Sequence, residues 1–227
     1  MFEELLPASV AVMEAHDGDE IAEGAFLYPE EQAAVARAVE KRRREFAVVR
    51  ACARRAMAKL GVPEQPIVPG ERGAPRWPDG VIGSMTHCEG FGAAALARAG
   101  ELASLGIDAE PHEPLPDGVA DVITLPAERE RLRDLTRSHP SVHWDRLLFS
   151  AKESVYKAWF PLTGQWLDFL EAEMAIDPGD GQGLRGAFRA RLLVPGPVVA
   201  GRRVEVFEGL WTIGRGLVAT SVVVTNT

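Results

Sequence analysis

The sequence predicts an α+β protein built as two lobes. Three observations carry that reading. A helical signal followed by short strand-like runs occurs twice along the chain. A proline-rich stretch, PHEPLPDG (111–118), lies between the two occurrences and reads as a hinge. G-x-x-x-x-G-K-[ST] is absent, so a P-loop fold is excluded. The expected lobes are 1–112 and 113–227.

Taken in order, the first helical signal begins at Pro29, a residue suited to a first helical turn, with Glu30 and Glu31 complementing the dipole there. It runs to Gly61, with Pro63 just beyond. Phe46, Val49, Ala53, Met57 and Leu60 recur at helical spacing and should face a core. PEQPIVPGERGAPRWPDG (63–80) is a Pro/Gly loop, and VIGSMTH (81–87), AAALARA (93–99) and SLGIDAE (104–110) read as strands. Beyond the hinge, 125–135 and 143–162 read as helices, the second stopped by Pro161. RARLLV (189–194), RVEVFEG (203–209), LWTIG (210–214) and GLVATSVVV (216–224) close the chain as strands.

Composition narrows the class. The 227 residues are 46% hydrophobic and 26% charged, ordinary for a globular protein. No apolar run reaches the ~20 residues needed to span a bilayer. The acidic start, MFEELLPASVAVMEAHDGDE, does not resemble an export signal, and two cysteines make no disulfide framework, so a cytoplasmic protein is expected. A net charge of −8 argues against a nucleic-acid binder. Residues 41–60 nevertheless hold eight of the 25 basic residues against one acid, which points to a local anionic ligand.

Candidate chemistry sits in four places. Arg42, Phe46 and Arg50 are spaced i, i+4, i+8, so both arginines lie within ~40° of Phe46 on a helix. Either their stems cover apolar surface with the heads in water, or they aim forked donors at a phosphate. Asp108 and Glu110 in GIDAE emerge on one face of a strand end; they are either solvated or share a cation such as magnesium. His87 could ligate metal, act as a base, bind phosphate or be structural. In FSAKESVYKAWF (149–160), Glu153 shares its helix face with Phe149, Tyr156 and Phe160, an enclosed setting for a charge. It can join Asp108 and Glu110 as a third carboxylate, leaving Lys152 and Lys157 for phosphate oxygens. Clustered cations with three carboxylates suit magnesium-dependent chemistry at phosphoryl groups.

GIDAE followed about forty residues later by FSAKESVYKAWF resembles the paired signature of 4′-phosphopantetheinyl transferases, (V/I)GxDxE and (W/F)xxKEAxxK. VIGSMTH, KRRREFAVVRACAR and GERGAPRW resemble the family's histidine strand, N-terminal helix and Gly/Pro segment. The likeness runs from about residue 40 to 170 and is to the larger type that modifies siderophore and polyketide synthases, closest to actinobacterial members. It implies two similar α/β lobes related by pseudo-twofold symmetry, with the active site at the lobe interface, in a monomer.

The implied reaction transfers the phosphopantetheine arm of coenzyme A to a serine of an acyl or peptidyl carrier protein, as in polyketide, non-ribosomal peptide and siderophore synthesis. Adenosine 3′,5′-bisphosphate leaves. By motif position the resemblance makes Asp108, Glu110 and Glu153 the magnesium site, with manganese as the alternative ion. Glu153, or a water held by the carboxylates, takes the serine proton. Arg42, Arg50 and His87 match coenzyme A phosphate positions, and Lys152 and Lys157 match positions near the pyrophosphate. Lys157 would stabilise the leaving group, and Tyr156, Trp166 and Phe169 would wall the pantetheine. Two departures stand out. Pro69 replaces a lysine of close relatives, a contact that Arg72 could supply, and Ser154 replaces alanine. A metal-dependent nucleotide hydrolase and a non-catalytic coenzyme A or carrier binder are the rival readings.

Overall fold

The computed structural model describes residues 1–179 and 184–226. The chain divides into a unit of Pro7–Leu102 and a unit of Met1–Leu6 with Ala103–Thr227. The boundary expected at 112/113 therefore moves back by ten residues. The reason lies in pairing: the strand that carries Asp108 and Glu110 is hydrogen-bonded to the C-terminal strand, not to its sequence predecessors. The first six residues also change sides. Phe2 is fully buried, and Ser221 Oγ donates to the Leu5 carbonyl at 3.0 Å.

The first unit contains β1 (Ala11–His16), α1 (Glu20–Glu23), α2 (Pro29–Ala34), α3 (Glu40–Lys59), β2 (Val81–Cys88) and β3 (Phe91–Arg98). Its sheet runs β1-β3-β2, antiparallel throughout. α3 packs on it through Val48, Cys52, Ala53, Ala56 and Met57, which meet Ala94 and Leu96. The small side chains of β3 and Gly92 admit this approach: a Cβ at Gly92 would sit 3.0 Å from Val48 Cγ1. The single helix expected over 29–61 is instead two. Local propensity favours continuity, but polar side chains capture the backbone at the break. Arg43 donates to the Val35 and Ala36 carbonyls, and Glu31 turns inward to accept from Arg54 and the Ile67 amide.

The second unit holds β4 (Leu102–Pro111), α4 (Val119–Ile123), α5 (Pro126–Ser138), α6 (Trp144–Thr163), β5 (Ala172–Asp177), β6 (Arg185–Leu192), β7 (Val198–Val199), β8 (Arg202–Arg203), β9 (Val206–Gly214) and β10 (Leu217–Thr225). Its main sheet has the order β4-β10-β9-β6-β5, and β7 pairs with β8 alone. α6 covers the sheet with Leu147, Leu148, Ala151, Val155, Ala158 and Trp159, while Trp144 meets Trp211 edge-on at 5.6 Å. Two expectations are corrected. The second half of RVEVFEG (206–209) joins LWTIG in the one strand β9, while Arg203 falls in β8, and Pro161 does not stop α6. The helix runs on to Gly164, whose φ of 65° supplies the left-handed cap. Proline in a last turn displaces one backbone bond where the following carbonyls are ending theirs anyway.

Candidate active site

The strand period of two places Gly106, Asp108 and Glu110 on one face of β4, and α6 lies against that face. A Cβ on Gly106 would overlap the Ser154 carbonyl oxygen and come within 2.8 Å of the Ala158 nitrogen, so glycine is what lets the helix approach. Ser104 Oγ reinforces the contact by donating to the Ala158 carbonyl at 2.8 Å. One turn of α6 is thereby laid along the acidic strand end. Gly106→Ala should push the two elements apart at a cost of about 1–3 kcal/mol. The thermal midpoint is expected to fall, and an unchanged midpoint would refute this packing role.

This approach settles the partner of Lys157. Its Nζ donates to Asp108 Oδ1 at 2.7 Å and to the Ile107 carbonyl at 3.1 Å. Glu153, one turn earlier and half-buried, lies within electrostatic range of the same group. Burial pushes its carboxyl above the usual range; Asp108 and Glu110 add to this, while Lys157 opposes it. Burial likewise raises Glu110, with Asp108 adding to the effect and Arg146 and Lys157 opposing it. Arg146 Nη1 donates to Glu110 Oε2 at 2.8 Å. Three carboxylates thus face two cations in a partly desolvated setting.

Among the described residues, no three His, Cys, Asp or Glu side chains are drawn together as a ready metal cage. Asp108 and Glu110 are each held by a cationic side chain instead. The donor chemistry still fits a hard divalent ion, since the set is all oxygen and carries one more negative charge than its protein partners neutralise. The ion's chemistry would be charge neutralisation at a phosphoryl group.

The aromatics on Glu153's side of α6 make ring contacts in two groups. Tyr156 stacks at a tilt on Trp166 (5.0 Å) and Phe160 (5.9 Å), and Phe149 meets Phe169 at 5.8 Å. Trp166 remains 53% exposed.

Lys152 is corrected. Its Nζ is buried and donates to Glu128 at 3.0 Å and to the Phe169 and Ala172 carbonyls at 2.6 and 3.1 Å. Glu128, fully buried, also accepts from the Leu125 and Met174 amides. All three ammonium donors are consumed within the fold, so Lys152 offers none to a phosphate. Burial pushes its pKa down, and Glu128 opposes this.

In the first unit, α3 and the end of β2 bring Arg42 and His87 together. Arg42 Nη1 pairs with His87 Nε2, and His87 Nδ1 lies 3.6 Å from Glu45 Oε2. Glu45 also lies 3.7 Å from Arg42. Arg50 is only 3% exposed; its Nε and Nη1 donate to the Ile67 and Phe46 carbonyls, and its guanidinium lies over the Phe46 ring. Burial pushes it down to about 9, still above neutral, so it stays charged. Its head does not reach water, and two of its three nitrogens are taken by backbone. Arg72 is exposed on the turn after Pro69, at a φ of 52°.

Sequence reasoning missed Arg146, Glu128 and Glu45. Glu128 left one signal, a glutamate at the third position of α5. Arg146 left none, because its partner lies 36 residues upstream.

Comparison with known proteins follows the same division of the chain. The 4′-phosphopantetheinyl transferase N-terminal domain matches residues 30–97, and the 4′-phosphopantetheinyl transferase superfamily matches 104–194. The chain is 64% identical to 4′-phosphopantetheinyl transferase Svp of Streptomyces mobaraensis over 87% of its own length and 78% of that protein. It is 50% identical to PptT of Mycobacterium tuberculosis, covering 86% and 85%, and 47% identical to Npt of Nocardia iowensis, covering 98% and 99%. With both units matched and these identities spanning most of each relative, the chain belongs to the 4′-phosphopantetheinyl transferase superfamily.

Proposed function

We propose that this chain transfers the 4′-phosphopantetheine arm of coenzyme A to a serine hydroxyl of apo acyl or peptidyl carrier proteins, releasing adenosine 3′,5′-bisphosphate. The observation that carries the reading is the laying of Glu153 and Lys157 along the Asp108–Glu110 strand end through Gly106. Asp108, Glu110 and Glu153 would hold magnesium, or manganese in its place. Glu153, with a carboxyl raised by burial, takes the serine proton, either directly or through a water. Lys157 steadies the charge that develops on the departing bisphosphate. Arg42 and His87 bind the coenzyme A phosphates, with Arg72 beside them and Arg50 supporting the helix that presents Arg42. Tyr156 and Trp166 line the pantetheine. The reading includes two lobes related by pseudo-twofold symmetry, with the active site at their interface, in a monomeric cytoplasmic enzyme.

Incubating the chain with coenzyme A, magnesium and an apo carrier should add the phosphopantetheine mass to the carrier in a mass spectrum. EDTA should stop the gain and magnesium restore it. Free phosphopantetheine with an unmodified carrier would instead support a hydrolase. Transfer that ignores EDTA would remove the metal assignment.

A further inference from the structure

Arg146 stands at the first turn of α6, and its guanidinium reaches back over the segment that follows β4. Nη1 donates to Glu110 Oε2 at 2.8 Å, Nε to the Glu113 carbonyl at 3.1 Å and Nη2 to the Pro114 carbonyl at 3.0 Å. Its neighbour Asp145 accepts from the Leu115 amide at 2.8 Å. Adjacent residues of one helix turn therefore grip three consecutive linker positions and one acidic side chain. The ion pair is well shielded, with 14% of the Arg146 side chain and 20% of the Glu110 side chain exposed. The planar fork holds the carboxylate on one oxygen only, and Oε1 keeps its lone pairs for another partner.

We infer that Arg146 is a positioning residue that orients the Glu110 carboxylate toward a divalent cation while holding the segment that follows β4. The inference rests on the metal reading above. Two effects oppose each other here. A guanidinium repels a nearby cation, so its removal should tighten metal binding if charge alone counts. A hydrogen bond that fixes a ligating carboxylate does the reverse, and its loss typically weakens metal binding about 10–100-fold. The sign of the change decides between them.

The experiment titrates Mn²⁺ into the full chain, with and without coenzyme A, and follows free Mn²⁺ by electron paramagnetic resonance. R146M is expected to bind Mn²⁺ about 10–100-fold more weakly, and its apparent KM for the metal should rise while KM for coenzyme A at saturating metal holds. R146Q, which keeps a donor without the charge, should fall between R146M and wild type. Should R146M fail to fold, R146Q alone still decides, because charge repulsion requires it to bind more tightly than wild type. Tighter or unchanged Mn²⁺ binding in either variant, with a lowered thermal midpoint, would leave Arg146 as a linker brace and overturn the inference. If wild type itself takes up no Mn²⁺, the carboxylate reading falls and this inference with it.

Discussion

Glu153→Gln is expected to lower the rate of carrier modification by about 10²–10⁴-fold, the usual worth of a positioned general base. Glutamine keeps the length of the side chain but cannot accept a proton. Coenzyme A should still bind, because Arg42 and His87 are untouched. In the metal-free chain burial raises this carboxyl, so it keeps its proton to a higher pH than an exposed glutamate would. That shift carries a stability effect. A carboxyl whose pKa is higher folded than unfolded loses its proton first in the unfolded chain. Stability therefore falls as pH rises from the unfolded value through the folded one. At neutral pH the metal-free native chain carries that cost, so Glu153→Gln should unfold at a higher temperature than wild type. Near-normal turnover would remove Glu153 from the base role, and a lowered midpoint would contradict the burial argument.

Lys152→Met should destabilise the chain by about 3–5 kcal/mol, because it strands the buried Glu128 carboxylate without its cation. Urea unfolding would measure this. The KM for coenzyme A in the surviving folded fraction should stay near wild type, since Nζ is spent on Glu128 and two carbonyls. Adding Glu128→Gln should recover part of the loss by removing the unpaired charge. Recovery stays partial because the Leu125 and Met174 amides both rely on that carboxylate. A large rise in KM with unchanged stability would return Lys152 to the phosphates.

The two lysines of FSAKESVYKAWF show how far a motif can be read. Both are positive, both flank Glu153, and spacing alone gives them the same task. They differ in which side of α6 they occupy relative to its packing. Lys157 points to β4 and finds Asp108, whereas Lys152 points to α5 and β5 and finds Glu128. That direction depends on elements 24 and 49 residues away in sequence. A periodicity within one helix does not contain it. Arg50 teaches the same point: its place within the apolar stripe of α3 was legible, but its capture by the Ile67 carbonyl was not.

What the sequence determined by itself is local and chemical. The helical stripe of α3, the strand runs, the acidic strand end at Asp108 and Glu110, and the family signature are all periodicities or short spacings. Only the tertiary structure decided which strand belongs to which unit, where helix 29–61 breaks, and which cation holds which carboxylate. Those outcomes turn on hydrogen bonds and close approaches between residues far apart in the chain. Gly106 joins the two levels: the motif records the glycine, and the packing of α6 against β4 supplies its reason.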